Sequence, residues 1–305
     1  MDNKKLQQKI AVIGAGAVGS TIAYSLIIKN LVSEVVLIDV NKEKEKGEVL
    51  DISDILSFSK TDSILAGEYK DAQDADIIVL TAGVPQKIGE SRLDLVLKNK
   101  AIINSIFKEI GEIKSSTIII VVSNPVDILT YLVQEISGLP IGQVFGTGTS
   151  LDSARLRSNL SKHFDINSEQ IEGFVFGEHG DSEFVAWSTV SIGGKLITKM
   201  LTKDQMDEIE KEVKNEVYKI IKEKGATYYG IGMVVIDIIE ALIFNQNKIL
   251  PVSYRLDNWN GVSNVCLGAT AIIGSGGIVK PWLIELNELE KEKFQESFKK
   301  IKEYI

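Results

Sequence analysis

Four short runs in the first half of the chain are apolar with almost no alternation: Lys9 to Ile13, Val35 to Ile38, Ile77 to Leu80 and Thr117 to Val122. A strand with one wet face alternates with a period of two. A run rich in Val and Ile that does not alternate reads as a strand covered on both faces, hence parallel. Between the runs lie helix-length stretches, Val18 to Asn30 and Ser91 to Ile113. Strand and helix in turn predict a doubly wound parallel α/β sheet.

Past Gly146 to Gly148 the pattern changes, so we place the boundary between two domains there, 1–147 and 148–305. Helices are predicted over Leu151 to His163, Thr202 to Glu223 and Val234 to Phe244. They mix with short alternating runs near Glu183 to Ile192 and Ile249 to Ile273, and Gly274, Gly276 and Gly277 mark a turn between antiparallel strands. The last stretch, Glu285 to Ile305, reads as an amphipathic helix with Leu286, Leu289, Phe294 and Phe298 on one side. The second domain is therefore α+β.

Composition narrows the function. Hydrophobic residues make up 44% and charged residues 25% of the 305 positions, as in a globular protein. The net charge of −8 argues against nucleic acid or an anionic membrane as partner. One cysteine and two histidines exclude a disulfide and a soft-metal cluster, so no metal is expected. The apolar segment before Gly14 is too short for a signal peptide or a membrane span, which makes the cytoplasm the expected compartment.

The first strand runs directly into G-A-G-A-V-G, with Gly14, Gly16 and Gly19. Gly14 suits a tight turn, Gly16 the close approach of a pyrophosphate, and Gly19 close packing of helix on strand. The phosphates then sit at the positive end of a helix starting near Ala17. Asp39, 20 residues after Gly19 at the end of the second strand, completes a Rossmann-type dinucleotide fingerprint. Its carboxylate would accept from ribose hydroxyls and repel a 2′-phosphate, which favours NAD over NADP. Asp39 also suits an N-cap of a helix over Asn41 to Leu50. In the second domain His179 lies in G-E-H-G-D, after the apolar run Ile171 to Phe176. Imidazole both gives and takes a proton near neutrality, and flanking glycines leave room around it.

Three further segments line up with these: T-A-G-V-P-Q-K-I-G-E-S-R-L-D-L from Thr81, V-S-N-P-V-D-I-L-T from Val122, and L-D-S-A-R-L-R from Leu151. Together the five motifs resemble the L-lactate/malate dehydrogenase family over essentially the whole chain, and its bacterial lactate-type members most. The resemblance implies hydride transfer between NADH and a 2-oxo acid, with His179 as proton donor and acceptor and Asp152 as its carboxylate partner. It also implies that Arg155 clamps the substrate carboxylate, that a closing loop brings Arg92 onto the substrate carbonyl, and that Asn124 orients cofactor and carbonyl. Ala17, Val18, Thr81, Ala82, Gly83, Val122 and Ile231 are implied to line the dinucleotide. Read from the residues alone, Asp152 is equally a helix N-cap, Arg155 a solvated helix residue and Asn124 a turn residue.

Substrate choice rests, by the same resemblance, on Gln86 and Thr227 at the substrate's variable end. A neutral Gln86 suits the methyl group of pyruvate, whereas a malate-type enzyme would carry arginine there. Thr227 and Ile231 read equally well as helix-capping and core residues. Arg157 matches an arginine that binds fructose 1,6-bisphosphate in many bacterial members, but its histidine partner is replaced by Glu172, which repels phosphate. Weak or absent activation is expected, in a homotetramer that interconverts pyruvate and L-lactate.

Overall fold

The computed structural model describes residues 8–85 and 92–305. Six parallel strands form the first half: β1 (Lys9–Ile13), β2 (Glu34–Ile38), β3 (Ser63–Ala66), β4 (Ile77–Leu80), β5 (Ile118–Val121) and β6 (Val144–Gly146). Their spatial order is β3-β2-β1-β4-β5-β6. The connecting helices are α1 (Ala17–Ile28), α2 (Lys42–Ser53), α3 (Arg92–Ile110) and α4 (Val126–Ile136).

Alternate residues of each central strand enter two different cores. Ile10, Val12, Val35, Leu37, Val79 and Ile120 pack with Ile22 and Leu26 of α1. Ala11, Ile13, Val36, Ile38, Leu80 and Val121 pack with Ile103 and Phe107 of α3 and Leu129 of α4. Both faces are dry, and that is why the hydropathy of these strands does not alternate.

The second half contributes α5 (Ser150–Phe164), the short strands β7 (Ile171–Glu172), β8 (Val175–Phe176), β9 (Phe184–Val185), β10 (Ser191–Ile192) and β11 (Lys195–Leu196), then α6 (Lys203–Lys224) and α7 (Tyr229–Ile243). It closes with β12 (Lys248–Arg255), β13 (Cys266–Gly274), β14 (Gly277–Pro281) and α8 (Glu288–Lys302). The β12, β13 and β14 strands are antiparallel, and they extend the first sheet through Ser253 of β12 opposite Gly146 of β6. The two halves thus share one nine-stranded sheet. A further core under α5 and α6 gathers Leu156, Leu160, Trp187, Ile209 and Val213.

Several expectations need correction. The edge strand β3, only one of whose residues is buried, and the three-residue β6 lack the long apolar run that marks the central strands. Helix α7 starts at Tyr229 rather than Val234, because glycines 230 and 232 hide its first turn in the hydropathy. The Glu183 to Ile192 run is two two-residue strands around a 3-10 turn, Trp187–Thr189. At the C-terminus Asn287 caps α8, so Leu286 precedes the helix; Phe294 is fully buried, but Leu289 is 57% exposed and lies off the apolar face.

Candidate active site

The glycine loop joins β1 to α1. Gly14 has φ +112°, and a Cβ there would meet Thr81 Oγ1 at 2.5 Å. A Cβ on Gly19 would land on the Gly14 carbonyl oxygen, whereas one on Gly16 would have no atom within 4 Å. Gly14 and Gly19 are therefore required by the protein itself, and the space at Gly16 is left for something else. The Thr81 hydroxyl, at the end of β4, donates to the Ile13 and Gly14 carbonyls at 3.0 and 3.1 Å.

Asp39 does not cap α2. Asn41 does, accepting from Lys44 N at 3.1 Å. The Asp39 carboxylate instead accepts from Ala15 N at 2.6 Å and Asn41 N at 2.8 Å, which fixes it against the glycine loop. A cavity of about 620 Å³ opens here, lined by Gly14, Gly16, Asp39, Thr81, Ala82 and Gly83. An open cradle at Gly16, a fixed carboxylate at the second strand and the N-terminus of α1, with Ala17 exposed on its first turn, fit an NAD molecule in chemistry and in shape.

A second cavity, of about 560 Å³, lies further along the same C-terminal edge of the sheet. It is lined by Val18, Val122, Asn124, Asp152, Arg155, His179, Thr227 and Ile231. Side chains from α1, the loop after β5, α5, the β8–β9 loop, the α6–α7 loop and α7 therefore meet at one place. His179 Nδ1 lies 2.7 Å from Asp152 Oδ2, and Arg155 Nη1 donates to Asp152 Oδ1 at 3.0 Å. Asp152 and Arg155 are buried, at 2% and 6% exposure, so neither is the solvated helix residue that the sequence alone would allow. Thr149, without a side-chain cap bond, occupies the N-cap of α5.

Burial by itself would push the imidazole pKa down. The Asp152 carboxylate, aided by Glu183 and Asp127, outweighs burial and holds His179 up to about 9. Burial likewise pushes Asp152 up, but the imidazolium and Arg155 outweigh it and keep the carboxylate ionised. Glu183 Oε2 is 3.8 Å from His179 Nδ1, and burial beside Asp152 pushes this carboxyl up to about 8. Asp152, His179 and Glu183 place ligand-type atoms within 4.8 Å of one another. A cation among them would compete with Arg155 for Asp152, so the cluster reads as proton-handling.

Besides Glu183, three contributors escaped the sequence reading. Asp127, on α4, accepts from the His179 backbone N–H at 2.8 Å and from the Ser253 hydroxyl. Asn99, on α3 and 1% exposed, accepts from Val84 N at 2.9 Å and donates to the Asn124 carbonyl at 2.7 Å, tying the β4 and β5 loops together. Glu178, at 0% exposure, pairs with Arg92. A charge in the apolar run Val126 to Leu129 was the available signal for Asp127; Asn99, between Lys98 and Lys100, carried none.

Not every expected residue enters these cavities. Arg92 opens α3 beside the histidine loop, with its guanidinium on Glu178. Gln86 and the rest of the segment before Arg92 lie outside the described residues. Arg157 and Glu172 line a separate cavity of about 900 Å³; Glu172 is exposed and accepts from the Ser191 hydroxyl at 3.3 Å. Among the described residues, no helix is long and apolar enough to cross a membrane.

A nucleotide cradle that opens beside a proton-storing imidazole defines an NAD-dependent oxidoreductase. The model of the lactate/malate dehydrogenase NAD binding domain matches residues 8–146, and that of the family's alpha/beta C-terminal domain matches residues 149–305. The chain belongs to the lactate/malate dehydrogenase family. It is 43% identical to L-lactate dehydrogenase 2 of Enterococcus faecalis, over 99% of this chain and 98% of that one. The L-lactate dehydrogenase of Thermoanaerobacterium saccharolyticum is 44% identical over 95% of each chain. Among solved structures, the minor L-lactate dehydrogenase of Enterococcus mundtii in its ligand-bound form superposes with a TM-score of 0.94 at 39% identity, covering 98% of this chain and 97% of that one.

Proposed function

We propose that the protein is an L-lactate dehydrogenase that interconverts pyruvate and L-lactate with NAD. The observation that carries this reading is the 2.7 Å contact between His179 Nδ1 and Asp152 Oδ2, in a cavity that Arg155, Asn124, Val18 and Ile231 also line. Bound NADH supplies the hydride. Asp152 engages Nδ1, leaving Nε2 of the imidazolium to give its proton to the substrate oxygen as that oxygen gains charge. Arg155 holds the substrate carboxylate with the guanidinium hydrogens that Asp152 leaves free. Arg92 stabilises the alkoxide, and Asn124 orients the carbonyl. In lactate oxidation neutral His179 takes the proton back.

Asp39 sets the cofactor preference through its charge. Gln86 and Thr227 meet the substrate's methyl end. The division into 1–147 for the nucleotide and 148–305 for the substrate belongs to the same reading, as do a cytoplasmic location and a homotetramer. Oxidation of NADH with pyruvate should far exceed that with oxaloacetate, and NADH should far exceed NADPH. Gln86→Arg should move the preference toward oxaloacetate. A wild-type protein faster on oxaloacetate than on pyruvate sinks the substrate assignment.

A further inference from the structure

Glu178 is a buried charge next to the reacting imidazole that proton transfer does not use. Its backbone adjoins His179, and the Ser182 hydroxyl donates to Oε2. The other oxygen, Oε1, faces Nη2 of Arg92 and accepts from no further hydrogen-bond donor among the described residues. Gly180 adjoins the pair: a Cβ there would make ordinary contact with both, 3.4 Å from Glu178 Oε1 and 3.8 Å from Arg92 Nη1. On another side the Arg92 guanidinium carbon is 5.8 Å from the centroid of the Tyr304 ring.

A carboxylate with no exposure and one neutral donor depends on its cation, because a buried charge left alone is strongly disfavoured. The cation depends on the carboxylate less, since the Arg92 side chain is 31% exposed. Glu178 therefore sets where Arg92 rests. We infer that Glu178 is a positioning residue that holds the Arg92 guanidinium at the histidine loop. With Nη2 on Glu178, the remaining N–H donors of the planar fork are free for a carbonyl oxygen. The charge needed at the alkoxide is thus kept beside the histidine loop, from which the fork has a short way to travel, and this lowers the reorganisation required in the transition state. The catalytic half of this inference rests on the function proposed above; the contact itself does not.

Two measurements test it. In the free protein, labelling with phenylglyoxal followed by peptide mass spectrometry reports the accessibility of each arginine. Arg92 should react about tenfold faster in Glu178→Gln than in wild type, the factor expected for losing roughly 1.4 kcal/mol of pairing. Arg155, engaged by Asp152, should be unchanged, and Glu178→Asp should fall between. In turnover with pyruvate, Glu178→Gln should lower kcat on the order of 30-fold with NADH affinity unchanged. The double variant with Arg92→Gln should be no slower than Arg92→Gln alone, whereas a merely structural loss would add. Unchanged Arg92 labelling in both Glu178 variants, or additive losses in the double variant, overturns the inference. If Glu178→Gln does not fold, Glu178→Asp alone decides by labelling. A wild-type protein inert toward pyruvate removes the catalytic reading and leaves the labelling to judge the contact.

Discussion

The imidazole at 179 is held by its surroundings as a proton store. Pyruvate reduction uses the imidazolium, so kcat/KM for pyruvate should be flat below about pH 9 and fall tenfold per unit above it. Lactate oxidation uses the neutral ring and should run the opposite way. In Asp152→Asn the largest opposing charge is gone and only Glu183 and Asp127 still act against burial, so the break should move down from about 9 toward the ordinary imidazole value of about 6.5. A break that stays near 9 in that variant would assign the titration to another group. His179 and its partners were legible because each sits in a short motif whose residue types state their chemistry. Asp127, Glu178 and Glu183 were not. Asp127 meets the His179 amide across 52 residues and Ser253 across 126, distances that only the fold closes. The elevated pKa of Glu183 comes from burial, which a residue letter does not record.

Four of the six parallel strands were legible as elements because their two dry faces left an unbroken Val and Ile signature, and the glycine loop because its spacing is dictated by contact. The glycines also separate the protein's needs from the cofactor's. Gly19→Ala would press a methyl group into the Gly14 carbonyl and should destabilise the fold by about 1–3 kcal/mol, read as a lowered midpoint in urea. Gly16→Ala meets no protein atom, so its midpoint should match wild type while NADH binds at least tenfold more weakly. Tight NADH binding by Gly16→Ala would move the pyrophosphate elsewhere. The two-residue strands β7 to β11 were illegible: a period of two cannot be seen in two residues. Helix α7 was misjudged at its start because tertiary packing, not propensity, holds a glycine-bearing first turn.

At the scale of the whole molecule one sheet runs through both halves of the chain, joined at Ser253 and Gly146. No local pattern encodes that join. Regulation belongs at this scale too. Glu172 and Arg157 line one cavity, and on the proposed reading the Glu172 carboxylate repels a phosphate there, so fructose 1,6-bisphosphate should change neither the KM for pyruvate nor the sedimenting mass of the protein. A several-fold fall in KM on adding it would show that Glu172 does not keep phosphate out. The Asp127 contact has a consequence for anyone recombining such chains. The ring of His179 belongs to one half of the molecule and its amide is moored to the other. A chimera that imports the second half brings the histidine along and leaves the mooring behind, so a working graft must carry the carboxylate at 127 with it.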